Sequence, residues 1–183
     1  MGCQGDDLSP KERSGIAILR IQSHIGFIPL RLKRTLDDDQ TLWDGFCPVF
    51  DEIVNLAAEV VRHEAGVPYF CLDLGIIGPV FEFVSRCRDP IIRRKAIAVL
   101  KSTSRQEGVW NSFLTAKVAE RLVGIEERGL GKVRCCNDVP GWARINKIQP
   151  QFDAFGRRVT VEYTRFRSQG ILEREIFEEV IEW

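Results

Sequence analysis

The stretch Ser85–Trp110, "SRCRDPIIRRKAIAVLKSTSRQEGVW", decides how the chain reads. It holds a helix start, a run of cations, an apolar stripe and a Glu-Gly-x-Trp corner. Asp89 followed by Pro90 is an N-cap and first-turn pair, because Asp accepts from orphan backbone N–H groups and Pro needs no N–H there. On a wheel turning about 100° per residue, Arg94 and Lys101 fall together on an outward stripe. Lys95 lies on a shoulder between Ile91 and Val99. Arg93 falls between Ile97 and Leu100, inside the apolar arc. Consecutive cations pointing about 100° apart cannot form one flat phosphate-binding face. The run therefore reads as a packed helical hairpin with a solvated rim rather than a nucleic-acid contact.

An arginine in an apolar arc needs a carboxylate, since an unpaired buried charge costs several kcal/mol. Glu107, in the corner, and Glu126, at the apolar edge of the following helix, are the two candidates. Glu127 falls on the polar side and is expected to be solvated. Trp110 is expected in the inter-helix corner and Gly108 in a backbone turn.

Outward from this stretch the chain reads as helices, then strands. Ser9-Pro10 with Glu12 has the form of a capping box, predicting a helix to about His24 with Ile16, Leu19 and Ile25 inward. Pro29 and the acidic triplet Asp37–Asp39 predict a loop over 26–41. From Phe46 to Arg62, Phe46, Val49, Phe50, Ile53, Val54, Leu56, Ala57, Val60 and Val61 share one arc of an amphipathic helix. His63 sits at its polar edge. A turn at "GVP" precedes an apolar run that is helical from about Pro79. "STSRQEG" reads as a loop, and Asn111-Ser112 starts a helix that ends at Gly129. After Gly131, "WARINKIQPQFD" and "RRVTVEYTRFR" alternate like strands around "AFG", with Val159, Val161 and Tyr163 on one face. "LEREIFEEVIEW" is open between strand and helix, with Ile176, Val180 and Ile181 favouring a helix. The expected fold is mainly α: antiparallel helix pairs with a small C-terminal antiparallel β-hairpin. An α-helical region 1–131, with about eight disordered residues at its start, is followed by a hairpin element 132–183 packed on it in the same domain.

Composition narrows the function classes. The 183 residues are 44% hydrophobic and 28% charged with zero formal net charge, so nothing global favours nucleic acid or an anionic membrane. The six cysteines, Cys3, Cys47, Cys71, Cys87, Cys135 and Cys136, contain no C-x-x-C, and His24 and His63 are the only histidines. Neither a zinc site nor a disulfide framework fits that spacing; reduced, mostly buried thiols do. "MGC" at the start lacks the Ser or Thr that a myristoylation site needs at position six, where Asp6 stands. There is no signal-length or membrane-length apolar run. No G-x-S-x-G, G-x-G-x-x-G or Walker-type loop occurs. "GLGKVRC" lacks the spacing and the Ser/Thr of a phosphate cradle, and Cys135-Cys136 has no base nearby.

Several segments, in order, resemble the C-terminal regulatory region of fungal zinc-binuclear-cluster transcription regulators. They are "LWDGFCPVFDEIVNLAAEVV", "CRDPIIRRKAIAVL", "RQEGVWNS", the helix end "GIEERG" and Arg144-Ile145, spread over roughly residues 15–183. The signature positions are Cys87, Arg88, Asp89, Pro90, Arg93, Glu107, Gly108, Trp110 and Glu126. Two positions depart from the pattern: Gln106 separates Arg105 from Glu107, and Gly78 stands where the family shows Pro. The family's DNA reader, a six-cysteine zinc cluster with a basic linker, has no counterpart here. The resemblance thus implies a helical transcription-regulator-like protein, nuclear by preference and otherwise cytoplasmic. It would act through a protein partner, self-association or a small-molecule effector, without direct DNA binding, catalysis, metal or cofactor. A free-standing helical scaffold is the alternative and an enzyme a distant third.

Overall fold

The computed structural model describes residues 8–32, 39–63, 68–153, 157–167, 169–170 and 173–182. The "MGC" start with Cys3, Asp37, Asp38, the turn residues before Pro68, "AFG" and Trp183 lie outside them. Five α-helices and two three-stranded sheets follow in order: α1 (Pro10–Arg31), α2 (Cys47–His63), β1 (Tyr69–Cys71), α3 (Ile77–Arg86), α4 (Pro90–Lys101), β2 (Arg105–Glu107), β3 (Trp110–Asn111), α5 (Ser112–Glu127), β4 (Asn146–Asp153), β5 (Arg158–Phe166) and β6 (Arg174–Glu182). A short 3-10 helix, Gln40–Phe46, leads into α2. The architecture is mainly α with a small antiparallel C-terminal sheet, as the sequence suggests.

The caps explain where the helices begin. Ser9 and Glu12 close a full capping box on α1. Asp89 accepts from the N–H groups of Ile91 and Ile92 at the head of α4, and Asn111 accepts from Leu114 N–H at the head of α5. After α5 the chain leaves through Gly129 at φ +79°. α2 buries Phe50, Ile53, Val54, Leu56, Ala57, Val60 and Val61, with Phe46 and Val49 half-buried. The core runs from α1 through α5 and takes in Val159, Val161 and Tyr163 of β5.

Four expectations need correction. First, α1 does not stop near His24 but runs through Pro29 to Arg31. Its buried residues are Ala17, Ile21 and Ile28, and Ile25 packs against the core as expected, while Ile16 and Leu19 are 44% and 70% exposed. The helix has two apolar arcs, and α2 covers the other one. Second, "STSRQEG" is not merely a loop: Arg105–Glu107 forms β2, paired with β1 in parallel and with β3 antiparallel. Third, the last segment is strand β6, not a helix. Phe177 and Ile181 turn inward, and Phe177 stacks on Tyr163 at 5.7 Å. Ile176 and Val180 face solvent. Fourth, among the described cysteines only Cys87 is buried; Cys47, Cys71 and Cys136 are half-buried and Cys135 is exposed.

Candidate functional site

Three of the signature residues, Arg88, Arg93 and Glu126, converge on a buried charge centre where α3, α4, α5 and the segment before β4 meet. Glu126, near the end of α5, is fully buried. Its Oε1 accepts from Arg88 Nη2 at 2.6 Å and from Ile145 N–H at 2.8 Å. Arg88 Nη2 also donates to the Ile145 carbonyl at 3.0 Å, and its Nη1 donates to the Arg86 carbonyl. Arg93 brings Nη2 to 2.7 Å from Glu126 Oε2. The approach is too poorly aligned for a hydrogen bond, and no nitrogen of the Arg93 guanidinium finds a hydrogen-bond acceptor among the described residues. The contact is therefore a charge contact with donors left over. Of the two carboxylates considered for Arg93, Glu126 is the partner.

Burial alone would push the Glu126 carboxyl up, because it disfavours the ionised form. The charges of Arg88 and Arg93, with the hydrogen bonds from Arg88 and Ile145, overcome this and hold it below the ordinary carboxylate range. Two guanidinium groups face this one carboxylate, so the centre carries an excess positive charge.

Glu107 serves a second centre. It is fully buried with Arg105, whose Nε and Nη2 both lie 2.8 Å from Oε1. Its carboxylate also accepts from the backbone N–H groups of Gly75, Ile76 and Ile77 at 3.2, 3.0 and 2.8 Å. This caps α3, whose own N-cap residue Ile76 offers no side-chain acceptor. The carboxylate lies so close to Gly75 that a Cβ there would sit 2.3 Å from Oε1. Gly108 turns the corner at φ +54°. Trp110 packs between Phe81 at 5.4 Å and Phe152 at 5.9 Å, in the corner the sequence assigned to it.

Two features escaped the sequence reading. Arg144 is buried and forks onto both oxygens of Asp44 at 2.8 and 2.7 Å. It also donates to the carbonyls of Gln40, Cys136 and Val139. Arg144-Ile145 was legible as a motif, but its partner lies 100 residues away. Glu127, expected in solvent, is mostly covered and paired with Arg94 at 2.7 Å.

The cations of the 93–101 run are engaged with acids. Lys95 lies 3.0 Å from Asp51 and Lys101 lies 2.5 Å from Glu120. Among the described residues no group of three or more His, Cys, Asp or Glu is placed to hold a metal ion. No helix there is long and apolar enough to cross a membrane.

No family model matches the chain, and no solved structure matches it. Among curated proteins it is 32% identical over 100 residues to the aspercryptin biosynthesis cluster-specific transcription regulator atnN of Emericella nidulans. The match covers 52% of this chain and 16% of that protein, so the chain corresponds to a small part of a much longer regulator. The similarity supports a relationship to fungal transcription regulators.

Proposed function

We propose that the chain is a regulatory module of a transcription regulator that works by contacting protein and not by reading DNA. The outward face of α1 carries the proposal. Ile16, Leu19, Phe27 and Leu30 are 44%, 70%, 49% and 79% exposed, on the side of the helix opposite Ala17, Ile21 and Ile28. A soluble surface rarely leaves so many large apolar groups in line. Gln22 beside them donates to the carbonyls of Leu74 and Gly75. Leu72 and Leu74 of the segment that follows β1 are exposed as well.

The occupant we infer is a second copy of this chain. Ile16, Leu19, Ser23, Phe27 and Leu30 follow one another at three, four, four and three residues. That spacing is the same read in either direction. A two-fold axis at Ser23 sets Ile16 of one copy against Leu30 of the other and Leu19 against Phe27, an isologous antiparallel contact. Gly15 and Gly26 have open space around them. Inside a helix each costs roughly 0.5–1 kcal/mol relative to Ala, and a close helix–helix approach gives them a use. α1 spans about 33 Å at the standard rise, so the contact alone is small and the dimer reversible.

Phosphate binding has no comparable support, since the cations of the 93–101 run are spent on carboxylates. The proposal carries with it nuclear action and requires no catalysis or cofactor. Sedimentation equilibrium of the wild type and of Leu19→Glu tests the contact. A concentration-dependent dimer that L19E abolishes, with circular dichroism unchanged, is expected. A wild type that stays monomeric at every concentration sinks the dimer face. Regulation is tested by tethering the chain to a heterologous DNA-binding domain beside a reporter promoter; an unaltered reporter defeats the regulatory reading.

A further inference from the structure

Strand β6 lies at one edge of the C-terminal sheet. It pairs with β5 along its inner side, and no strand among the described residues pairs with its outer side. The strand is nine residues long. An unpaired edge of that length offers a row of backbone N–H and C=O groups, a template for one more strand. Phe177 and Ile181 pack against the core. The two-residue period of a strand therefore puts Ile176, Glu178, Val180 and Glu182 on the opposite face. Ile176 and Val180 are 69% and 53% exposed, and both glutamates are exposed.

The register adds a second observation. Glu178 stands directly opposite Glu162 of β5, and like charges at opposed positions repel. Gln149 of β4 completes the row and is neutral. Among the described residues neither carboxylate takes part in an ion pair. The arginines around them are engaged elsewhere. Arg158 lies 3.2 Å from Asp153, Arg174 sits over the Phe166 ring at 4.4 Å, and Arg121 pairs with Glu179 on the inner face.

We propose that β6 accepts a further strand from a protein partner. That strand is an extended segment with Lys or Arg opposite Glu178 and Glu182 and apolar residues opposite Ile176 and Val180. In strand addition the backbone hydrogen bonds supply affinity and the alternate side chains supply choice. A cation beside Glu178 turns a repelling row into an attracting one, and apolar neighbours cover Ile176 and Val180. A second copy of the chain fits poorly here. Antiparallel pairing about the middle of β6 sets Glu178 against its own counterpart and deepens the repulsion. The surface uses no residue of the α1 face, so it stands or falls apart from the dimer.

The probe is a synthetic peptide, acetyl-Lys-Thr-Val-Thr-Lys-Thr-Val-Thr-Glu-amide. Antiparallel to β6, it sets its lysines against Glu182 and Glu178, its valines against Val180 and Ile176, and its glutamate against Arg174. Titration into the isotope-labelled full chain, followed by NMR, should shift the amides of β6 and slow hydrogen exchange at the alternate ones that face outward. The same peptide with Glu in place of both Lys should leave β6 unchanged. Glu178→Lys should weaken binding of the lysine peptide about tenfold or more and admit a peptide whose central Lys is replaced by Glu. An unperturbed β6 at millimolar peptide overturns the proposal. So does equal binding of the lysine and glutamate peptides, or perturbation confined to another face. If E178K misfolds, the two peptides on the wild type still decide.

Discussion

Glu126 is where one side chain has the widest reach, because it answers two arginines and a backbone N–H at once. Glu126→Gln removes the charge and leaves two buried cations facing each other; breaking a buried pair in this way costs about 3–5 kcal/mol. Urea denaturation should show that loss as a lower midpoint with an unchanged slope. The sign of its pH dependence follows from its depressed folded value. Stability from Glu126 is fully present above the unfolded carboxylate range, about 4.3. It is lost as pH falls from there through the folded value. The wild type should weaken on acidification below about pH 4, and E126Q should show a smaller acid-side loss. At the second centre, Gly75→Ala drives a methyl into the Glu107 carboxylate. Overpacking of this kind costs roughly 1–3 kcal/mol, and thermal melting should reveal it while Gly45→Ala, with open space around it, stays near wild type.

Helix heads were legible because a cap is a local device. Ser9, Asp89 and Asn111 each act on N–H groups within three residues. Asp89 serves two of them, so Asp89→Ala should lower stability by about 1–2 kcal/mol in chemical denaturation. Elements set by distant partners were not legible. β1 and β3 have only three and two residues, too few for any alternation, and exist because β2 lies between them. In β6, Ile176, Val180 and Ile181 do not share one strand face, since Ile181 falls opposite the other two, and so they favour a helical reading; Phe177 decides, by stacking on Tyr163 of the neighbouring strand. α1 misled for a different reason. Both of its faces are apolar, and periodicity cannot tell which one α2 will take. The pairing of Arg93 was legible because a cation in an apolar arc demands a carboxylate. Burial of Arg88, Arg105 and Arg144 was not, since no arc surrounds them in the sequence.

At the scale of the molecule, the charges cancel by pairing across elements rather than by clustering into a face. An electrophoretic mobility assay with duplex DNA should therefore show at most weak binding that vanishes with added salt, the mark of nonspecific phosphate contact. A sequence-specific, salt-resistant shift would contradict the pairing picture. Arg144 shows what such pairing demands of the chain in time. Its fork closes on Asp44 and Gln40, and those residues leave the ribosome about a hundred codons before it does. Likewise Ile145 supplies both an N–H and a carbonyl to the Arg88–Glu126 pair. Until residues 144 and 145 emerge, the nascent helices hold Asp44, Arg88 and Glu126 without their last partners. A ribosome stalled before that point should display a protease-sensitive chain, and one stalled well beyond it a resistant one. Synthesis thus leaves the fold unlocked until a late segment of the chain turns the key.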